Sequence, residues 1–82
     1  MKLLIRTQES NVFSGEVTSV TLPGTVGSFQ VLKNHAPLVS SLTKGTILFV
    51  VNENVKEIGI EGGFVEVKDN TISVYTDIVE KE

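Results

Sequence analysis

The stretch that decides the fold runs from Leu22 to Leu42 and reads Leu-Pro-Gly-Thr-Val-Gly-Ser-Phe-Gln-Val-Leu-Lys-Asn-His-Ala-Pro-Leu-Val-Ser-Ser-Leu. It contains both prolines and the single histidine of the 82-residue chain. Apolar residues still recur every two or three positions between these turn-forming residues. This pattern is typical of a shaped loop held by short strands, and function is often found on such loops.

Outside this stretch the chain alternates between short β-rich segments and polar turns. Phe64 to Lys68 and Thr71 to Thr76 both alternate apolar and polar residues, and Asp69-Asn70 between them predicts a tight hairpin turn. No window carries the apolar periodicity of a stable helix, and the tail from Asp77 to Glu82 does not either. We therefore predict an all-β fold, either an antiparallel sandwich or a barrel.

Four local features lead to more specific expectations. Gly15 predicts a bulge or bend in the second strand. In the segment Glu16–Leu22, Val17 falls on the opposite face from the later apolar residues, which predicts a bulge or a strand buried on both sides. Thr46–Val51 is apolar at nearly every position, which predicts a strand that is buried on both faces or crosses near the centre of the core. Gly62-Gly63 predicts a sharp bend packed closely against another strand.

Composition limits the classes of function. The 82 residues are enough for one domain, and 40% hydrophobic with 21% charged residues describe an ordinary globular protein. The chain has no cysteine, so it has no disulfide partner and no thiolate metal site. The net charge is −3 without a basic stripe, which argues against nucleic-acid binding. No apolar run approaches the roughly 18 residues of a membrane span, so no direct membrane insertion is expected.

His35 is the one residue that suggests catalysis. It could be placed in a triad with Ser40 or Ser41 as the nucleophile, but no nucleophile-elbow pattern accompanies it. A metal site would need further ligands, and scattered glutamates are a weak signal. We interpret His35 as a polar loop residue that is hydrogen-bonded to nearby backbone or exposed at an interface. No catalytic, metal or cofactor site is expected.

The segment Gly24-Thr25-Val26-Gly27-Ser28 superficially resembles a phosphate-binding loop. It lacks the Gly-Lys-Ser/Thr ending of such loops, and no helix is predicted after it to direct an N-terminus at an anion. We interpret it as a projecting turn that two glycines shape. From the residues alone, the chain is a small all-β domain, best described as a binding module.

Several separated motifs allow a further step. In chain order they are Val-Phe-Ser-Gly-Glu-Val at 12–17, Leu-Pro-Gly-Thr-Val-Gly at 22–27, Asn-His-Ala-Pro-Leu at 34–38, Gly-Thr-Ile at 45–47 and Gly-Gly-Phe-Val-Glu-Val at 62–67. Together they resemble the epsilon subunit family of F-type ATP synthases over essentially the whole chain. The segment from Asn34 to Leu38 is the most specific of them.

This resemblance implies a flattened antiparallel β-sandwich of two roughly five-stranded sheets. It implies a non-catalytic subunit of the central stalk that joins the gamma subunit to the c-ring and so helps to couple proton flow to ATP synthesis. The residues that match the family's c-ring loop are Gly24, Thr25, Val26, Gly27 and Ser28. The residues that match the segment near the gamma subunit are His35, Ala36, Pro37, Leu38 and Ser40. Ser28 stands where many relatives carry an acidic residue, which puts a charge-based contact at that position in doubt.

Family members usually continue into a two-helix C-terminal domain that inhibits ATP hydrolysis. We expect residues 1–82 to form a single epsilon-type β-sandwich domain without that helical hairpin, and hence without helix-mediated inhibition. The expected location is peripheral, on the cytoplasmic face of a bacterial inner membrane through the synthase, with the plastid thylakoid as the alternative. Two other functions stay open: a free-standing β-sandwich that binds a small ligand, and an enzyme that uses His35.

Overall fold

The computed structural model describes residues 1–77 and the backbone of residues 79–80. The described chain is all-β, with nine strands of five to seven residues and one two-residue strand. The prediction of an all-β sandwich is confirmed. No helix in the described residues is long and apolar enough to cross a membrane. The expectation about the tail is covered only in part, because residues 78, 81 and 82 lie outside the described residues.

The strands follow one another with short connections. Their bounds are β1 Lys2–Arg6, β2 Asn11–Glu16, β3 Ser19–Pro23, β4 Ser28–Leu32, β5 Leu38–Leu42, β6 Gly45–Val51, β7 Asn54–Ile60, β8 Gly63–Lys68, β9 Thr71–Thr76 and β10 Val79–Glu80. Sheet A has the order β2-β1-β9-β8-β5, and sheet B has the order β10-β7-β6-β3-β4. The principal extents are 27 × 26 × 22 Å, so the sandwich is only slightly flattened.

The core lies between the two sheets and is formed by inward-facing side chains, which alternate with outward-facing ones along several of the strands. In β8 and β9 the predicted alternation is confirmed, because Val65, Val67, Ile72 and Val74 are at most 2% exposed. Burial of this apolar surface is the main favourable term for a small domain without disulfides. The fully buried side chains are Phe49, Leu3, Ile5, Leu22, Ile47, Ile60, Ile72, Val20, Val31, Val65, Val67 and Val74.

One strand pair departs from the antiparallel prediction. β1 pairs in parallel with β9, with Lys2 opposite Thr71 and Arg6 opposite Tyr75. The other pairings of sheet A and all the pairings of sheet B are antiparallel. The parallel pair places the first strand inside sheet A, between β2 and β9, where it is paired on both edges.

The prediction of a bulge at Gly15 is wrong, because the bulge lies three residues earlier in the chain. The register shifts between Ile5 and Arg6, whose partners are Phe13 and Asn11, so Val12 is the extra residue of the bulge. Gly15 instead lies in regular pairing, and a Cβ there would be 3.2 Å from Cζ of Phe13. The glycine therefore leaves room for an aromatic ring, which packs 4.7 Å from the ring of Phe49.

The expectation of one irregular strand from Glu16 to Leu22 is also wrong, because the chain changes sheets there. The N–H of Val17 donates to the carbonyl of Met1 at 2.9 Å, beside sheet A. The next N–H, of Thr18, donates to the carbonyl of Val50 at 3.0 Å, in sheet B. The crossing explains why Val17 does not share the parity of β3, although it is 5% exposed and belongs to the core.

β6 is buried on one face only, so of the two predictions for Thr46–Val51 the burial on both faces is wrong, while the strand is central in sheet B. Ile47 and Phe49 are buried, whereas Thr46 is exposed and Leu48 is 38% exposed. The outer face of this central strand is thus apolar but open to solvent. Apolar residues on both sides of a strand do not distinguish a covered face from an apolar surface.

The bend at Gly62-Gly63 is confirmed as a close contact. Both residues have a positive φ, of 142° and 139°. A Cβ on Gly63 would overlap the carbonyl oxygen of Tyr75. Beside it, the hydroxyl of Thr76, which is 4% exposed, donates to the carbonyl of Gly62 at 2.7 Å. These contacts join the start of β8 to the end of β9.

Candidate functional site

The predicted projecting turn closes through a backbone hydrogen bond. The N–H of Gly27 donates to the carbonyl of Gly24 at 3.0 Å, so Thr25 and Val26 occupy the two central positions. A four-residue turn of this kind reverses the chain between β3 and β4. Its position at the end of two paired strands makes it project from sheet B.

Glycine is needed at each of these two positions of the turn for a different steric reason. Gly27 has a φ of 152°, which residues with a side chain rarely adopt. A Cβ on Gly24 would lie 2.7 Å from the carbonyl oxygen of Gly27 and 3.0 Å from the ring of Phe29. Gly24 therefore allows the turn to close, and Gly27 allows the chain to enter β4. Glycine at both positions was recognised from the sequence as turn-forming.

The turn is fixed to β5, the edge strand of sheet A. The N–H of Thr25 donates to the carbonyl of Ser41 at 3.2 Å, and their hydroxyl oxygens are 2.8 Å apart. Gly24 forms an isolated antiparallel bridge with Leu42, and the N–H of Thr43 donates to the carbonyl of Pro23 at 2.8 Å. We name this set of contacts the turn–β5 clasp. It connects the two sheets at the base of the turn.

Val26 is the most exposed apolar side chain of the described residues. Its exposed fraction is 101%, so its side chain contacts almost nothing within the domain. Thr25, Gly27 and Ser28 around it are also exposed. An isolated exposed valine is common on protein surfaces, but one at the tip of a turn that is held by several hydrogen bonds is preorganised for contact.

The surroundings of the turn carry almost no charge along the chain. Between Val17 and Thr43, Lys33 is the only Asp, Glu, Lys or Arg, although such residues make up 21% of the chain. The next charged residue, Lys44, has its Nζ 4.0 Å from Oε2 of Glu61. Sequence reasoning missed this charge-free interval, and counting charged residues along the chain would have found it.

The second predicted set of residues lies on the loop from Lys33 to Pro37 and the start of β5. His35 is exposed; its N–H donates to the carbonyl of Leu32 at 3.1 Å, and its Nδ1 is 2.8 Å from the carbonyl oxygen of Ala36. Both contacts agree with the interpretation of a loop histidine bonded to nearby backbone. Ala36 and Pro37 are exposed, whereas Leu38 and Ser40 are half-buried.

This loop is positioned from sheet A by a side chain that sequence reasoning missed. The side-chain oxygen Oδ1 of Asn70 accepts a hydrogen bond from the N–H of Asn34 at 3.0 Å. Both asparagines are in the left-handed region, with φ values of 59° and 63°, which asparagine tolerates better than most residues. The Asp69-Asn70 hairpin turn, which the sequence did predict, therefore also supports the loop that carries His35.

β5 brings the two predicted sets into one structural unit. Ser40 of the second set precedes Ser41, which holds the turn through its carbonyl and hydroxyl groups. β5 itself is paired to β8 from Leu38 to Leu42. The projecting turn and the His35 loop are thus attached to the two ends of the same five-residue strand.

The competing chemical interpretations of these residues find no support in the geometry. The hydroxyl of Ser40 donates to the carbonyl of Ser41 at 3.1 Å, and the hydroxyl of Ser41 pairs with Thr25. Neither of these two hydrogen bonds involves His35. Strand β4, and not a helix, follows Ser28. Within the described residues, no three His, Asp or Glu side chains come together as a group that could hold a metal ion.

One feature that bears on the ligand-binding alternative appears only in three dimensions. Phe64 and Tyr75 are directly opposite on β8 and β9, and their rings stack 5.0 Å apart at 28° on the outer face of sheet A. With Arg6 and Asp77 they line an open depression of about 430 Å³. The two rings contact each other as a cross-strand pair, which by itself explains their proximity.

Comparison with known proteins identifies the family. A family model described as the β-sandwich domain of the ATP synthase delta/epsilon chain matches residues 1–82. The ATP synthase epsilon chain of Leptospira borgpetersenii is 49% identical over 69 residues, which cover 84% of this chain and 54% of the relative. That of Desulfitobacterium hafniense is 44% identical, covering 95% of this chain and 59% of the relative. The chain thus spans a little over half the length of these relatives.

Other comparisons differ in coverage and confirm the fold. The epsilon chain of Chlorobium limicola is 43% identical, and the match covers 95% of this chain and 90% of that relative. A chain from the mitochondrial ATP synthase of Euglena gracilis superposes with a TM-score of 0.89 at 23% identity, over 95% of this chain and 51% of that chain. One from the central stalk and c-ring structure of Tetrahymena thermophila superposes with a TM-score of 0.83 at 16% identity, over 98% and 65%. On the family match over its whole length and the identity to bacterial epsilon chains, the protein belongs to the ATP synthase delta/epsilon chain family, of which it contains the β-sandwich domain.

Proposed function

We propose that this protein is a non-catalytic rotor subunit that joins the c-ring to the gamma subunit of a proton-translocating F-type ATP synthase. In this role the projecting turn, residues Gly24–Ser28, contacts the c-ring. The loop and strand residues His35–Leu38 and Ser40 contact the gamma subunit. The subunit itself performs no chemistry; it transmits torque and position between two partners. It is held at the membrane surface through the complex, on the cytoplasmic face in a bacterium.

The observation that carries this proposal is the turn–β5 clasp. A coupling subunit must connect its two partner-binding surfaces through a rigid element, so that movement of one partner is passed to the other. Backbone hydrogen bonds between Thr25 and Ser41 and between Pro23 and Thr43 attach the turn directly to β5. β5 is in turn paired along its whole length with β8 in sheet A. A displacement at the turn is therefore transmitted to the other surface through hydrogen-bonded backbone.

Binding to purified partners tests the proposal. The wild-type chain is expected to form a complex with a purified gamma subunit at micromolar concentration and to recruit that subunit to the c-ring. His35→Ala is expected to weaken gamma binding about fivefold or more, as truncation of a central interface residue does. Lys56→Ala, an exposed position on β7 outside both surfaces, is the matched control and should leave binding unchanged. A folded chain that binds neither partner would refute the proposal.

We further propose that residues 1–82 do not inhibit ATP hydrolysis by the mechanism of helix-bearing family members. Added to a synthase depleted of its epsilon subunit, the 82-residue chain should restore coupling between proton flow and ATP synthesis without lowering the hydrolysis rate. Blocked hydrolysis would contradict this part of the proposal. His35→Ala also separates this function from the enzyme alternative, since an interface role predicts weaker assembly and a catalytic role predicts lost turnover.

A further inference from the structure

The tip of the projecting turn has a chemistry that the proposed function does not specify. We define the neutral turn surface as Thr25, Val26, Gly27, Ser28 and Ser41. Its members are four hydrogen-bonding or small residues around one fully exposed valine. None of these five residues has a charged side chain.

The lack of charge extends beyond the tip. Residues 17–32, which include all of β3, the turn and all of β4, contain no Asp, Glu, Lys, Arg or His. Lys44 follows Thr43, whose N–H is bonded to the carbonyl of Pro23 at the base of the turn. Its ammonium group is 4.0 Å from a carboxylate oxygen of Glu61. A partner that approaches the tip therefore meets no charged side chain from residues 17–32.

Several polar groups of the turn are bonded within the domain. The N–H of Gly27 is bonded to Gly24, and the N–H of Thr25 is bonded to Ser41. The hydroxyl groups of Thr25 and Ser41 are bonded to each other at 2.8 Å. The side chain of Val26 takes no part in these bonds and is fully exposed. Burying Val26 in a partner therefore removes apolar surface from water without breaking these bonds.

We propose that Val26 is an apolar anchor that inserts into an uncharged recess on the surface of the c-ring, so that this contact does not depend on ion pairing. The inference rests on the proposed function, from which it takes the identity of the partner. The absence of charge on the turn favours an uncharged recess. A charged recess would lose its contacts with water on binding and would find no opposite charge on the turn. The ring contact then depends on shape and apolar burial, and it resists salt because screening acts only on charges.

The test measures binding of the 82-residue chain to a purified, detergent-solubilised c-ring. Wild-type affinity is expected to change less than about twofold between roughly 0.05 and 0.5 M NaCl, because no ion pair is screened. Val26→Thr replaces one methyl group by a hydroxyl group of similar size. This loss of apolar surface should weaken ring binding about threefold to tenfold. Val26→Asp should weaken it further, since a charge would enter an uncharged recess.

Two control variants keep the result specific. Val55→Asp places the same charge on another exposed valine, on β7 next to the β6–β7 turn, and should leave ring binding within about twofold of wild type. Lys44→Gln removes the charged residue near the base of the turn and should also have little effect. Thermal melts of the Val26 variants should match wild type, because Val26 is fully exposed and is not part of the core.

The outcomes separate this inference from the proposed function. Binding of wild type to neither the gamma subunit nor the ring would refute the proposed function itself. Normal assembly together with a strong loss of ring binding in high salt, or in Lys44→Gln, would overturn the uncharged contact alone. Unchanged ring binding by Val26→Thr and Val26→Asp would overturn the anchor alone. Salt-resistant binding that the Val26 variants weaken, and that Val55→Asp and Lys44→Gln do not, supports the inference.

Discussion

Three glycines with similar backbone angles allow steric overlap to be separated from backbone strain. Gly27, Gly62 and Gly63 have φ values of 152°, 142° and 139°. An added Cβ meets nothing within 4 Å at Gly27, lies 3.5 Å from the carbonyl oxygen of Leu42 at Gly62, and overlaps the carbonyl oxygen of Tyr75 at Gly63. Alanine at each position therefore adds the same methyl group to the same kind of backbone in three different surroundings.

The expected cost of each substitution follows from these surroundings. An unfavourable φ costs about 1 to 3 kcal/mol for a residue with a side chain. This strain is the whole expected effect for Gly27→Ala and Gly62→Ala. Gly63→Ala adds overpacking, which typically costs a further 1 to 3 kcal/mol, for a total of about 2 to 6 kcal/mol. A chain of this length has a total stability of about 4 to 12 kcal/mol, so Gly63→Ala is expected to leave the domain marginally stable or unfolded.

Urea denaturation followed by circular dichroism measures all three variants against wild type. The ranking should be Gly63→Ala well below Gly62→Ala and Gly27→Ala, with a difference of at least about 1 kcal/mol, or roughly 4 to 8 °C in the melting temperature. The m-value should stay constant, because the same surface is exposed on unfolding. If Gly63→Ala proved no less stable than Gly27→Ala, the close approach of β8 to β9 at this point would be refuted.

Three further predictions concern single contacts. Thr25→Val and Ser41→Ala each remove one hydroxyl of the turn–β5 clasp, and each should weaken ring binding. Because the two hydroxyls bond to each other, the double variant should bind the ring no more weakly than the single variants, which a double-mutant cycle of binding constants measures. Phe64→Ala and Tyr75→Ala should each lower the free energy of unfolding, with a coupling of about 0.5 to 1.5 kcal/mol from the stacked rings, and full additivity in urea melts would contradict this. Asn70→Ala leaves a backbone N–H of the His35 loop without its acceptor, so amide hydrogen exchange there should accelerate while β1 and β9 stay protected; unchanged exchange in the loop would argue against that support.

Local pattern predicted those strands whose covered face is apolar and whose exposed face is polar. β8 and β9 followed their alternation because each has an apolar and a polar face. Leu48 misled the prediction for β6, since its apolar side chain faces solvent at 38% exposure. Val17 misled the prediction for β3, because the chain crosses from one sheet to the other just after it. A sequence pattern records which side chains are apolar but not which surface covers them.

The candidate site was predicted as a set of segments but not as a unit. The turn glycines and the His35 loop were recognisable because local conformation and motif order specify them. The clasp was not predictable, since it joins Thr25 to a residue 16 positions later on another sheet. The support from Asn70 spans 36 positions and has no local signal either. Contacts of this range depend on the relative placement of the two sheets, which periodicity does not encode.

The parallel pair of β1 and β9 has a consequence for how the domain is made. Lys2 finds its partner on β9 only when Thr71 has emerged from the ribosome. Until then one edge of β1 stays open, and sheet A consists of two separate pairs, β1–β2 and β5–β8. Synthesis at about 5 to 20 residues per second leaves that edge unpaired for several seconds. Sheet B can pair β3, β4, β6 and β7 earlier, so we expect folding to begin there and sheet A to close only after β9 has emerged.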